Sequence, residues 1–149
     1  MQIWVDADAC PRPAKEILFR ASNRTGVTIT LVANQFMATP PSPLIRFVQV
    51  PAGFDVADNE IVKRMKPGDL VITADIPLAA EVVKEGGHCI SPRGELFTEE
   101  TIGQRLAIRD FLTDLRDQGV ETGGPSAFGP KERTAFANQL DRFLTQHTA

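Results

Sequence analysis

Hydrophobic positions in the first ninety residues fall into two alternating rhythms. Residues 2–5 form a short apolar run, and Pro11-Arg12-Pro13 then opens a stretch with Ala14, Ile17, Leu18 and Ala21 on one helical face. Gly26 stops that helix, and 27–32 reads as a β-branched strand. Three prolines mark 36–43 as a loop, and 46–50 reads as another strand. A helix carrying Ile61, Val62 and Met65 follows, then the turn Pro67-Gly68-Asp69 and an apolar strand over 70–73. The next helix presents Leu78, Val82 and Val83, ends at Gly86-Gly87, and gives way to a last strand at 88–90. Strands separated by helices predict βαβ units: an α/β fold with a mostly parallel central sheet flanked by helices.

The pattern then becomes helical. Thr98 caps a predicted helix to about Gln118, with Ile108, Phe111, Leu112 and Leu115 as its apolar face and Gly119 as its stop. After the loop Thr122-Gly123-Gly124-Pro125-Ser126-Ala127-Phe128-Gly129, Pro130 opens a final helix with Phe136, Leu140, Phe143 and Leu144 turned inward. The expected organisation is one domain over 1–149, an α/β core at 1–95 and a helical C-terminal extension at 96–149.

Composition narrows the class of molecule. At 42% hydrophobic and 23% charged, the chain is too apolar for disorder and too mixed for a coiled coil. Its net charge of −3 excludes a basic nucleic-acid coat, so any nucleic-acid contact needs a local basic patch or a bridging metal. The start Met1-Gln2-Ile3-Trp4-Val5-Asp6 reaches an acid too soon for a secretory signal, and no apolar run approaches the ~20 residues of a membrane helix. With Cys10 and Cys89 outside any CxxC, a cytoplasmic protein with reduced thiols is expected, without a membrane partner.

Candidate chemistry lies at the strand ends, because ligands of open parallel sheets bind beyond the carboxyl ends of the strands. There the sequence puts Asp6 and Asp8, Asn34, Asp75 and Ser91. Asp58 shares a helical face with Ile61, Val62 and Met65 and so points to the same rim, with Asp55 nearby in the loop. Gathered carboxylates repel unless neutralised, and a hard cation that accepts oxygen ligands does this. The expected metal ligands are Asp6, Asp8, Asp58 and Asp75, with Asp6, Asp58 and Asp75 as the catalytic set and Mg²⁺ or Mn²⁺ as cofactor. Each acid also has a plainer reading. Asp8, Asp55 and Asp75 all precede helices and suit N-caps, whereas Asp6 ends a strand buried on both faces, where an unpaired carboxylate is costly. Arg93, in Ser91-Pro92-Arg93-Gly94, is expected either to bind substrate phosphate or to pair with an acid. Lys131 and Arg133, after the Gly123-Gly124 loop, are further phosphate candidates, and a plain interhelical turn is the alternative there. Cys10 reads as a packing thiol, His88 as a core or edge residue, and His147 as a solvated tail residue.

The runs Ile3-Trp4-Val5-Asp6-Ala7-Asp8-Ala9-Cys10-Pro11, Gly53-Phe54-Asp55-Val56-Ala57-Asp58, Thr73-Ala74-Asp75-Ile76-Pro77-Leu78-Ala79 and Thr122-Gly123-Gly124-Pro125 together resemble the bacterial YaiI/YqxD family. That family is grouped with PIN-like domains, a metal-dependent nuclease fold. The resemblance implies metal-dependent phosphodiester hydrolysis, with RNA as the expected partner, and matches Asp6 and Asp75 to two PIN acids. The sequence departs from the PIN pattern in two ways. Asp58 or Asp55 stands where a helical Glu is usual, and 76–80 lacks the usual fourth acid. Two other readings stay open: an aspartyl phosphatase of the haloacid-dehalogenase type using Asp6 as nucleophile and Asp8 as general acid, and a non-catalytic nucleic-acid or protein-binding module.

Overall fold

The computed structural model describes residues 1–53, 55–117 and 128–147, the side chains of 109–117 excepted. Its centre is a six-stranded sheet in the order β3-β2-β1-β4-β5-β6. The strands are β1 (Gln2–Asp6), β2 (Thr28–Ala33), β3 (Ile45–Gln49), β4 (Leu70–Ile72), β5 (His88–Ile90) and β6 (Leu96–Phe97). The first five are mutually parallel, and β6 runs antiparallel to β5. β6 is a correction, since two residues after a turn are too few to show an alternating pattern. Central strands are apolar almost throughout, as a sheet covered on both faces requires.

Alternation along the strands divides the core in two. Ile3, Val5, Ile29, Leu31, Leu70, Ile72 and Ile90 face α1 (Arg12–Thr25) and α5 (Pro130–His147). Trp4, Val32, Val71 and Cys89 face α2 (Val56–Arg64), α3 (Ile76–Lys84) and the start of α4 (Glu99–Asp117). The helical C-terminal part thus closes both faces: α4 packs on α3, and α5 packs on α1 through Phe136, Leu140, Phe143 and Leu144. Gly26, left-handed at φ 78°, ends α1 as its sequence position predicts. The expected apolar positions Phe111, Leu112 and Leu115, the stop at Gly119 and the Gly123-Gly124 loop lie outside the described residues.

At the amino-terminal edge of the sheet, Asp69 gathers three donors. The backbone N–H of Gln2 (3.0 Å), the Trp4 indole Nε1–H (3.0 Å) and the N–H of Lys66 (2.9 Å) all donate to its carboxylate. At the opposite edge the chain leaves β1 and β4 in diverging directions. This reversal of strand order opens a crevice above their carboxyl ends.

Candidate metal centre

Each wall of that crevice is set by local chemistry. β1 ends at Asp6, a single 3-10 turn (Ala7–Ala9) carries Asp8, and α1 begins only after Pro11. Asp8 therefore does not cap α1, whose N-cap is Pro11 with no side-chain bond. Its carboxylate instead accepts the N–H of Asn34 (2.8 Å), tying the end of β1 to the end of β2. Asp55 also departs from the capping expectation. It occupies the N-cap position of α2 with a left-handed backbone (φ 60°), and its side chain makes no cap bond. Among the described residues it is the one non-glycine at positive φ, a conformation that Asp tolerates at some cost. Asp75 does cap its helix, with Oδ1 accepting the N–H of Leu78 (2.9 Å).

The carboxylates of Asp55, Asp58 and Asp75 each offer an oxygen within 4.8 Å of the others. They line a crevice of about 190 Å³ together with Asp8, Asn34, Pro51 and Gly53. Asp6 lies at the strand end behind them, only 9% exposed, and accepts the Thr73 hydroxyl (2.9 Å). The same Thr73 oxygen accepts the N–H of Asp75 (3.0 Å), so one side chain fixes two acids.

Electrostatics follow from the crowding. Burial, then the charges of Asp75, Asp6 and Asp55, then a hydrogen bond to Asp75 push the Asp58 carboxyl up to about 7. Asp6 is also raised, chiefly by burial and further by Asp75 and Asp8, with the Thr73 bond opposing. A carboxyl held protonated near neutrality between acceptor oxygens occupies a place that a cation can take. The all-oxygen donor set suits a hard ion such as Mg²⁺ or Mn²⁺.

The predicted residues therefore fall into two groups. Asp58 and Asp75 meet directly, with Asp6 behind them and Asp8 and Asn34 on the rim, and Asp55, which the sequence offers both as a cap and as an alternative to Asp58, joins them beside it. Its three-residue spacing from Asp58 was the available signal, because residues three apart share a helical face. The cations stand apart from this crevice. Arg93 reaches Glu132 of α5 (3.6 Å), and Lys131 and Arg133 are exposed on the first turn of α5. None of the three lines the acidic crevice. Cys10 is buried, with its thiol pushed up to about 12 by burial, consistent with packing rather than nucleophilic chemistry. His147 is exposed, as expected, and its ring also stacks on Phe143 (centroids 4.0 Å apart) and approaches His88 (4.9 Å). No helix among the described residues is long and apolar enough to cross a membrane.

Comparison with known proteins gives a single consistent relationship. The family described as "Uncharacterized BCR, YaiI/YqxD family" matches residues 4–146. A UPF0178 protein of Thioalkalivibrio sulfidiphilus is 66% identical over 146 residues, covering 98% of this chain and 99% of the relative. One of Syntrophotalea carbinolica is 62% identical over 147 residues (99% of each), and one of Yersinia pestis 60% over 146 (98% of this chain, 96% of the relative). No solved structure matches the chain.

Proposed function

The chain belongs to the YaiI/YqxD family, whose name assigns no reaction, and from the acidic site taken together with the resemblance to PIN-like domains we propose a divalent-cation-dependent phosphodiesterase acting on RNA. The observation that carries this reading is the meeting of Asp55, Asp58 and Asp75 within 4.8 Å at the reversal of strand order. Capping alone leaves that meeting unexplained, since Asp55 caps nothing and sits in a backbone conformation that costs energy, the kind of strain that concentrates at functional sites. The resemblance to PIN-like nucleases points the same way.

Asp55, Asp58 and Asp75 would hold Mg²⁺ or Mn²⁺, with Asp6 and Asp8 as flanking charges. Such a cation would supply a water of lowered pKa and charge stabilisation for the phosphoryl oxygens. The protein's own groups provide the rest. Thr73 fixes Asp6 by donating its hydroxyl and fixes Asp75 by accepting its N–H, so these two acids hold their places without a ligand. Asp8, by holding the Asn34 N–H, keeps the rim open at a set width beside the substrate. Arg93, engaged with Glu132, anchors α5 at the neighbouring strand end.

An aspartyl phosphatase is less well supported, because Asp6 is nearly buried and one of its oxygens is committed to Thr73. Purified protein with Mn²⁺ is expected to cut a labelled single-stranded RNA, and EDTA, Asp58→Asn or Asp75→Asn to abolish the cut. Asn remains a good N-cap, so the Asp75 variant keeps its helix start. Equal cleavage by wild type and both variants, or a phosphorylated Asp6 trapped with a phosphomonoester, would sink the reading.

A further inference from the structure

A second concavity of about 550 Å³, within the range of small-ligand sites, opens between α1 and the β2–β3 connection. Its floor is apolar, formed by Phe19, Leu31 and Met37, and Arg12 and Lys15 stand on its wall. Next in the chain to Met37, Phe36 presents its ring to solvent at 76% exposure without itself lining the concavity. Phe47 props that ring edge-on, with centroids 5.7 Å apart. Pro40, Pro41 and Pro43 stiffen the connection, so the platform is held in place rather than assembled on binding. α1 carries Arg12, Lys15, Arg20 and Arg24 against the single acid Glu16, on a chain whose net charge is −3. The Arg12–Glu16 pair is exposed (3.6 Å, Arg12 side chain 89% exposed) and leaves that guanidinium accessible to a stronger anion.

The groove adjoins the acidic crevice through the chain itself. Asn34 lines the crevice and Met37 the groove; Asp8 lines the crevice and Arg12 the groove. Three or four residues span at most about 10–14 Å, roughly two nucleotides of an extended strand. An exposed aromatic ring beside clustered cations is the arrangement that binds single-stranded nucleic acid, by stacking bases and pairing with phosphates.

We propose that this groove binds an unpaired nucleotide of a single-stranded nucleic acid, its base against Phe36 and its flanking phosphates at Arg12 and Lys15. The strand would then continue toward the acids; this deepens the phosphodiesterase reading and rests on it for the direction of the strand.

The test separates the two. Anisotropy of a labelled uridine dodecamer, measured in EDTA, reads the groove alone. Wild type is expected to bind, Phe36→Ala to weaken binding about tenfold, and Phe36→Trp to restore it. Arg12→Ala with Lys15→Ala is expected to reduce the slope of log affinity against log salt by about 1.4. Mn²⁺-dependent hydrolysis of bis(p-nitrophenyl) phosphate, too small to span both places, reads the acids and is expected to survive Phe36→Ala. Loss of that hydrolysis alone counts against the phosphodiesterase and leaves the groove standing. The groove assignment is overturned by any of four results: no binding by wild type in EDTA, unchanged affinity in Phe36→Ala, equal affinity for a duplex of the same length, or sedimentation showing that Phe36→Ala only abolishes self-association.

Discussion

Asp58 carries the most informative single titration in the molecule. Its folded carboxyl, at about 7, lies well above the unfolded value near 3.9, so folding favours the protonated form. Its contribution to stability is therefore fully present below pH ~4 and is lost as pH rises through 7. Asp6, also raised, adds in the same direction. His88 acts oppositely: burial and His147 lower its pKa, so its contribution is lost as pH falls below ~6.5. Comparison with Asp58→Asn isolates the first effect. Without metal, the variant's stability relative to wild type should increase from pH 4 to pH 7 and then level off. The total gain should be about 1–2 kcal/mol after allowance for solvent screening. A parallel pair of stability–pH curves from urea titrations would contradict the assignment. Asp69 gives a prediction of a different kind, because its carboxylate satisfies three donors, including the buried Trp4 indole. Asp69→Ala should cost about 1–3 kcal/mol, the range for stranding a buried polar group. Less than about 0.5 kcal/mol by urea denaturation would show that water replaces it freely.

Elements dock where backbones approach closely, and α5 shows this most plainly. The turn after β5 holds Gly94 at φ 90°, and a Cβ there would lie 2.6 Å from the Ala135 backbone of α5. Both the backbone conformation and the space exclude a side chain. Gly94→Ala is expected to cost at least about 2 kcal/mol. It should also raise amide exchange in the first turns of α5 more than in α1 or β1. Uniform exchange throughout the protein would refute a local docking defect. The Arg93–Glu132 pair crosses the same junction, but an exposed ion pair contributes little beside the packing of Phe136 and Leu140.

At the scale of the whole molecule, the acidic cluster links binding to stability. A cation that binds the folded chain and not the unfolded one stabilises it by mass action, about 2.7 kcal/mol at one hundred times Kd. For a chain of 149 residues this amounts to roughly 5–10 °C in Tm. Mn²⁺ at millimolar concentration should produce such a shift at pH 7.5 and a much smaller one at pH 6, where the cation must displace a proton from Asp58. Asp58→Asn and Asp75→Asn should abolish it. An equal shift in both variants would place the cation elsewhere.

Periodicity made the architecture legible. The apolar runs of β1, β2 and β4 and the helical faces of α1, α3 and α5 are properties of neighbouring residues, and they reappear in the structure within a residue or two. The rim of acids was legible too, since a parallel sheet sends every strand's carboxyl end to the same side. What the sequence leaves open is which acids touch. Asp8, Asp55 and Asp75 each stand before a helix and look alike as potential caps, yet only Asp75 caps one. Asp8 turns instead to the backbone of β2, and Asp55 turns to Asp58 and Asp75. β6 escaped notice because two residues have no period, and Asp69 because its donors Gln2 and Trp4 come from a strand more than sixty residues away. Local pattern determines where an element lies and which face it buries. Partners distant in the chain, brought together only by the order β3-β2-β1-β4-β5-β6, decide what each polar side chain does once it is there.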